Sequence, residues 1–142
     1  MFDYGKYLKR LQEGDLSINP FLAFMGVTLE ALGDGSARFR MTVRRDFLQG
    51  AGVVQGGLVV AMSSETIAHA VMTQLATGES IATIELKNNF MASLKEGEAI
   101  AEATVFKKGH RVIIGDCLVS SDSGKILSRT TSSILLLSSD QA

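Results

Sequence analysis

Between Leu48 and Thr66 the chain reads LQGAGVVQGGLVVAMSSET. Gly50, Gly52, Gly56 and Gly57 crowd its first half, an apolar run follows, and one carboxylate, Glu65, stands near the end of that run. A Gly-Gly pair lets backbone approach a ligand with no Cβ in the way. The helix that opens behind the pair begins with N–H groups that have no intrahelical acceptor and lie at the positive end of its dipole. Donors so placed suit a carbonyl that becomes an oxyanion when it is attacked, which gives Gly56 a role. A carboxylate on a buried helix is desolvated, so its pKa rises toward the range of a working base, which gives Glu65 one.

Other reactive side chains are few. His69 lies four residues after Glu65, on the same helix face, where it is either a proton relay or a satisfied core histidine. Lys107, Lys108, His110 and Arg111 share a turn, which reads as an anion contact or as solvated turn charge; Lys125 and Arg129 could extend that surface. Cys117 has no elbow around it to make a nucleophile and reads as a small buried apolar residue. Two separated histidines and one cysteine form no metal site. GAGVVQGG lacks both a following Lys-Ser/Thr and the spacing of a dinucleotide loop, so a phosphate-loop reading fails.

The elements that must carry these groups follow from periodicity. Phe2 to Leu11 places Tyr4, Tyr7, Leu8 and Leu11 at helical spacing, and Pro20 then breaks the pattern. Strands are expected near Val27 to Leu32 and over Ser36 to Val43, joined by the hairpin signal Gly33-Asp34-Gly35. Leu58 to Leu75 is the long helical candidate, apolar on most sides and so buried, with Gly78 as its stop. Ser80 to Met91, with Thr83 beginning a central strand that faces the cleft, Glu98 to Lys107, Arg111 to Ser120 and Ile126 to Leu137 read as further strands separated by short turns. Two strands before the helix and four after it favour a curved antiparallel sheet wrapped around that helix, an α+β domain over residues 1–142 whose open edges and face invite a second copy.

Bulk properties agree. The 142 residues are the size of one domain with a real core, and 46% are hydrophobic. A formal net charge of -1 supplies no field to hold nucleic acid or an anionic membrane. A single cysteine excludes an internal disulfide and fits a reducing compartment, and the N-terminus has neither a signal peptide nor a membrane span, so the expected location is cytoplasmic.

LQGAGVVQGGLVVAMSSE, followed by IELKNNFMASLKEGEAIAEATVFKKGHRVIIGDCLV, resembles the hotdog-fold acyl-CoA thioesterases of the phenylacetate-degradation and 4-hydroxybenzoyl-CoA type, over roughly Asn19 to Leu137. Their elbow runs Asn or Gln, two residues, Gly, two residues, His-Gly-Gly, six residues, then Asp or Glu. Gln49 falls on the first position, Gly52 on the second, Gln55 on the histidine, and Gly56 and Gly57 on the pair. The resemblance implies hydrolysis of the thioester of an acyl-CoA, with coenzyme A as part of the substrate and no other cofactor. It implies a homodimer or homotetramer whose site lies between subunits. Gly56 N–H then points at the thioester carbonyl, Gln49 and Gln55 orient it, and Gly57, Thr83 and Asn89 line the cleft. The turn with Lys108, His110 and Arg111 receives the coenzyme A phosphates.

The acid departs from that pattern. Counted from Gln55, the family position is Ser64, and Glu65 is the next residue. One residue on a helix is a rotation of about 100° and a rise of about 1.5 Å. Either Glu65 is the working acid from a shifted position, or Ser64 orients water or substrate weakly and the protein binds an acyl-CoA without fast turnover. A dehydratase reading lacks the histidine it needs near the elbow. The apolar residues Val59, Ala61, Met62 and Phe90 suggest an apolar acyl tunnel.

Overall fold

The long apolar run forms the helix around which the fold is built. In the computed structural model, which describes residues 1–138, helix α3 spans Gly56–Met72. It starts two residues earlier than the apolar periodicity suggests, because Gln55 caps it: its side-chain oxygen accepts from Leu58 N at 3.1 Å. It stops at Met72, short of the expected Leu75. Thr73 Oγ1 donates to Ala70 O at 2.6 Å and accepts from Gly35 N at 2.8 Å, fastening the helix end to a hairpin. Gly78 is therefore not the helix stop; at φ 86° it turns the chain into the next strand.

Six antiparallel strands wrap α3: β1 Val27–Gly33, β2 Ser36–Thr42, β3 Glu79–Phe90, β4 Glu98–Lys108, β5 Val112–Ser121 and β6 Ile126–Ser138. Their order is β1-β2-β4-β5-β6-β3. Two strands precede the helix and four follow it, as the spacing of the apolar runs implies, and this is the hotdog arrangement. Alternation decides which residues face the helix. Ala37, Phe39 and Met41 of β2 and Ala99, Ala101 and Ala103 of β4 are buried, and their small members let α3 lie close. On β5 a Cβ at Gly115 would stand 2.9 Å from Ile67 Cγ2 of the helix, so glycine is needed for that approach. Arg38 and Arg40, on the other face of β2, pair with Glu30, Glu98 and Glu102.

The strand holding Thr83 is not central: β3 is an edge strand, paired only to β6, and Thr83 lies exposed beside a bulge in its middle. Helix α3 is not covered all round. Val59, Met62, Ser63, Thr66, Ile67, His69, Ala70 and Val71 are buried, but a stripe of Gly57, Val60, Ala61, Ser64, Ala68 and Met72 is only partly covered or exposed.

Ahead of the sheet, α1 (Tyr4–Gln12) buries Tyr7, Leu8 and Leu11 and is capped by Asp3, which accepts from Lys6 N at 3.0 Å. A second short helix, α2 (Pro20–Met25), is additional to the sequence reading. Pro20 does not merely break a pattern; it occupies the first helical turn, where proline costs no hydrogen bond. Asn19 caps it, and Gly26 closes it at φ 63°. Among the described residues no helix is long and apolar enough to cross a membrane.

Candidate active site

The elbow is a tight loop held by its own backbone. Gln49 N donates to Val53 O at 2.8 Å, Gly52 N to Gln49 O at 2.8 Å and Gln55 N to Phe47 O at 2.9 Å. Gly52 sits at φ 77°, a conformation that favours glycine. Gln49 Oε1 accepts from Ala51 N. The elbow delivers the chain to α3 with Gln55 spent on the cap, so its side-chain oxygen is structural. No acceptor for Gly56 N–H or Gly57 N–H exists among the described residues. These two donors are the orphans expected at a helix start.

Beside them opens a cavity of about 280 Å³ whose walls include Gln49, Val53, Gly56, Val59, Phe90 and Leu127. Of the expected residues, it brings together Gln49, Gly56, Val59 and Phe90. The Phe90 ring packs so closely over Gly56 that a Cβ there would lie 3.0 Å from Cζ. Val53 and Leu127 complete the apolar wall and were not singled out from sequence. Their only signal was apolar character beside the elbow and at the start of a strand. Met62 is buried, and neither it nor Ala61 lines the cavity.

Glu65 belongs to a second cluster. Its Oε2 accepts from Asn19 Nδ2 at 3.2 Å. Asn19 Nδ2 also donates to Tyr7 Oη at 2.9 Å, and Tyr7 Oη lies 2.7 Å from His69 Nε2. His69 Nδ1 is 2.6 Å from the backbone carbonyl of Glu65. A carbonyl only accepts, so Nδ1 carries the proton and Nε2 accepts from the Tyr7 hydroxyl. His69 is thus a satisfied core histidine, one of the two roles the sequence left open. Burial lowers its pKa, a tendency opposed by the bond to the Glu65 carbonyl. Burial raises the Glu65 carboxyl above its ordinary value, opposed by the Asn19 amide. Burial also raises Tyr7, against the Asn19 bond and with the Glu65 charge adding to it.

Glu65 and Gly56 do not meet in one protomer. Nine residues separate them, which on a helix is a rise of about 13.5 Å. Ser64 sits on the partly covered stripe, with no side-chain hydrogen bond among the described residues. Asn89 is not brought to the cavity either. Phe90 faces it, so the preceding side chain projects to the opposite face of β3. The helix-facing neighbour is Asn88, whose Oδ1 accepts from Thr130 Oγ1 at 2.6 Å.

The basic turn lies at the far end of α3. Lys108 Nζ donates to Gln74 O at 2.6 Å and to Glu79 Oε2 at 3.3 Å, just beyond the helix C-terminus, and His110 and Arg111 are exposed beside it. The 17 residues of α3 put that end about 25 Å from Gly56. Lys125 cannot join this cluster within the chain, because it lies at the opposite end of β5, next to Leu127 and the cavity. Arg129 is committed to Asp116 at 3.0 Å. Cys117 is buried, and desolvation pushes its thiol up to about 12. No metal-binding cluster of His, Cys, Asp or Glu is present among the described residues.

The profile of the thioesterase superfamily matches residues 51–128, from the elbow through α3 to the start of β6. A proposed esterase of Saccharolobus solfataricus is 29% identical over 93 residues, which are 66% of this chain and 61% of that protein. A proposed esterase of Mycobacterium tuberculosis is 28% identical over 113 residues, covering 78% of this chain and 81% of that one. Among solved structures, a proposed thioesterase of Ralstonia eutropha, described as a phenylacetic acid degradation-related protein, is similar at a TM-score of 0.83. It is 25% identical, with 91% of this chain and 98% of that chain covered.

Proposed function

Because the chain belongs to the thioesterase superfamily, we propose that it hydrolyses the thioester of an acyl-CoA at a site shared between two protomers. The observation that carries this reading is the pair of unpartnered N–H groups of Gly56 and Gly57 beside an apolar cavity. The acyl group enters the cavity, and Gly56 N–H bonds the thioester oxygen. As water adds to the carbonyl carbon, charge grows on that oxygen, and a fixed helix-end donor stabilises it most there. Glu65 of the facing protomer takes the proton of the attacking water. The C–S bond then breaks, and the departing thiolate leaves as coenzyme A. Gln49, on the cavity wall, orients the carbonyl.

Sharing the site answers the separation of about 13.5 Å between Gly56 and Glu65 along one helix. Two features support a second copy: the partly covered stripe on α3, and the free edge of β3, where Ile84 is 57% exposed. A dimer, or a pair of dimers, follows. In such an assembly His110 and Arg111 reach the coenzyme A phosphates from a protomer other than the one that supplies Gly56. A lone buried cysteine suits a cytoplasmic setting.

A second reading, an acyl-CoA binding protein without turnover, is favoured by one observation: Ser64, not an acid, occupies the partly covered helix face. A thiol-release assay over short, medium and aromatic acyl-CoAs separates the two, using the wild type, Glu65→Gln and Ser64→Asp. Hydrolysis by the wild type that Glu65→Gln abolishes without unfolding supports the enzyme. An inert wild type that gains activity with Ser64→Asp supports the binder.

A further inference from the structure

We propose that Asn19 is the positioning residue that makes Glu65 usable as the acid, with Tyr7 and His69 fixing Asn19 in turn. This rests on the acyl-CoA hydrolase reading above. Tyr7, Asn19 and His69 form one hydrogen-bonded unit spanning α1, the cap of α2 and α3. Asn19 uses its whole side chain. Oδ1 accepts from Phe21 N at 3.1 Å and Leu22 N at 3.0 Å, which fixes the amide plane. One Nδ2 hydrogen goes to Tyr7 Oη at 2.9 Å, and the other goes to Glu65 Oε2 at 3.2 Å. Tyr7 gives its own proton to His69 Nε2 at 2.7 Å, and His69 Nδ1–H is held by the Glu65 carbonyl at 2.6 Å. Every donor in this chain has one acceptor, so the amide cannot flip without breaking two cap bonds.

The unit does two things for Glu65. It holds Oε2, and leaves Oε1 without a protein partner among the described residues on a side chain that is still 28% exposed. One oxygen is anchored and the other is left without a partner among the described residues. It also places a neutral donor against a half-buried carboxylate, which favours the ionised form that a base needs. The groups facing the carboxylate are Asn19 from α2, Tyr7 from α1 and the neutral His69 ring, whose Nδ1 is 3.9 Å from Oε2. None carries a positive charge while His69 is neutral, so the Asn19 amide is the main group holding Glu65 ionised. Residues 7 and 19 precede the stretch the superfamily profile matches.

The test uses the full-length protein with Asn19→Ser and Asn19→Asp. Both keep a side-chain oxygen for the α2 cap, and both remove the amide donor. Two readouts are taken: kcat and KM against pH on the best acyl-CoA substrate, and direct NMR titration of the ¹³C-labelled Glu65 carboxyl, assigned with Glu65→Gln. In Asn19→Ser the expected results are a kcat lower by roughly tenfold, an unchanged KM, and an acid limb and Glu65 titration both moved up by about one pH unit. Asn19→Asp moves both further up, since its carboxylate repels that of Glu65. Tyr7→Phe, which frees Asn19 without touching Glu65, moves them in the same direction by less. If both Asn19 variants fold and neither the acid limb nor the Glu65 titration moves, the proposal is overturned. If the wild type hydrolyses no acyl-CoA, the enzyme reading fails, while the carboxyl titration still decides whether Asn19 controls Glu65.

Discussion

Replacing Gly56 with alanine tests the centre of the site. In this structure the added Cβ would lie 3.0 Å from Phe90 Cζ and 3.2 Å from Cε1. Carbon contacts prefer about 3.5–4.0 Å, so the ring must retreat by roughly 0.5–1 Å. It can do so cheaply, because Phe90 is 58% exposed. Alanine is also the better helix former, by up to about 1 kcal/mol. The two effects oppose each other, and the melting temperature should stay within about 4 °C of wild type. Activity should not stay. Alanine keeps the backbone N–H, but its methyl group stands at the cavity wall beside the donor proposed to meet the substrate oxygen; by holding the carbonyl off that donor it should cost what loss of one such bond costs, about 10²–10³ in kcat. Gly57→Ala is the matching control. Its Cβ would lie 2.8 Å from Gln55 Oε1 and displace the cap, so it should cost about 1 kcal/mol of stability and far less activity. The assay is thiol release from an acyl-CoA beside a thermal melt of each variant. A Gly56→Ala protein that keeps kcat/KM within about twofold of wild type refutes the placing of the carbonyl at this helix end.

Two further outcomes follow from burial. The Glu65 carboxyl is raised above its ordinary 4.5 by burial, so the folded state binds more protons than the unfolded state just above that value. The stability this proton lends is complete below the unfolded pKa and is lost as pH rises through the folded one. Glu65→Gln keeps the acceptor for Asn19 without the charge; it should melt higher than wild type at about pH 8 and equal to it at about pH 4, and a gap of the same size at both pH values contradicts this sign. Cys117, buried and with its thiol pushed up to about 12, should not react with an aromatic disulfide reagent in the native state and should give one thiol per chain after unfolding. Rapid labelling of the native protein would show that its surroundings open.

What was legible in the sequence is what repeats locally. Alternation at Ala37, Phe39 and Met41 marks β2 and its buried face, and the dense apolar run marks α3. Both signals lie within the element they describe. Strand order does not, since the placing of β3 at an edge depends on which strand β6 pairs with after the chain has returned. The same holds for Asn89. With a period of two, a reading one residue out exchanges Asn89 for Asn88 and moves the side chain to the other face. Helix α2 was hidden because proline is a breaker in the middle of a helix and a starter at its first turn, and only the Asn19 cap and Gly26 at φ 63° tell the two apart.

The site divides along the same line. The elbow was readable because its glycines, its cap and the helix behind them are consecutive. The Glu65 anchor was not, since Asn19 is 46 residues away and Tyr7 reaches His69 across 62. A side chain's meaning there is set by a segment with no pattern in common with it. This bears on the acid itself. Ser64 and Glu65 are one residue apart, so a rotation of about 100° points them at different neighbours. Ser64 lies on the partly covered stripe, whereas Glu65 meets the N-terminal helices. An acid in the Ser64 position would lie on the stripe where a second protomer is proposed to dock, and would need no tether. Glu65 is aimed into its own protomer, where burial pushes its carboxyl above the ordinary value and works against the ionised form a base needs. The Asn19 amide, a donor from that side, opposes this effect and leaves the second carboxyl oxygen free. In the proposed mechanism the shift in register and the Asn19–Tyr7–His69 unit are two halves of one arrangement, the second being what would make the first compatible with hydrolysis.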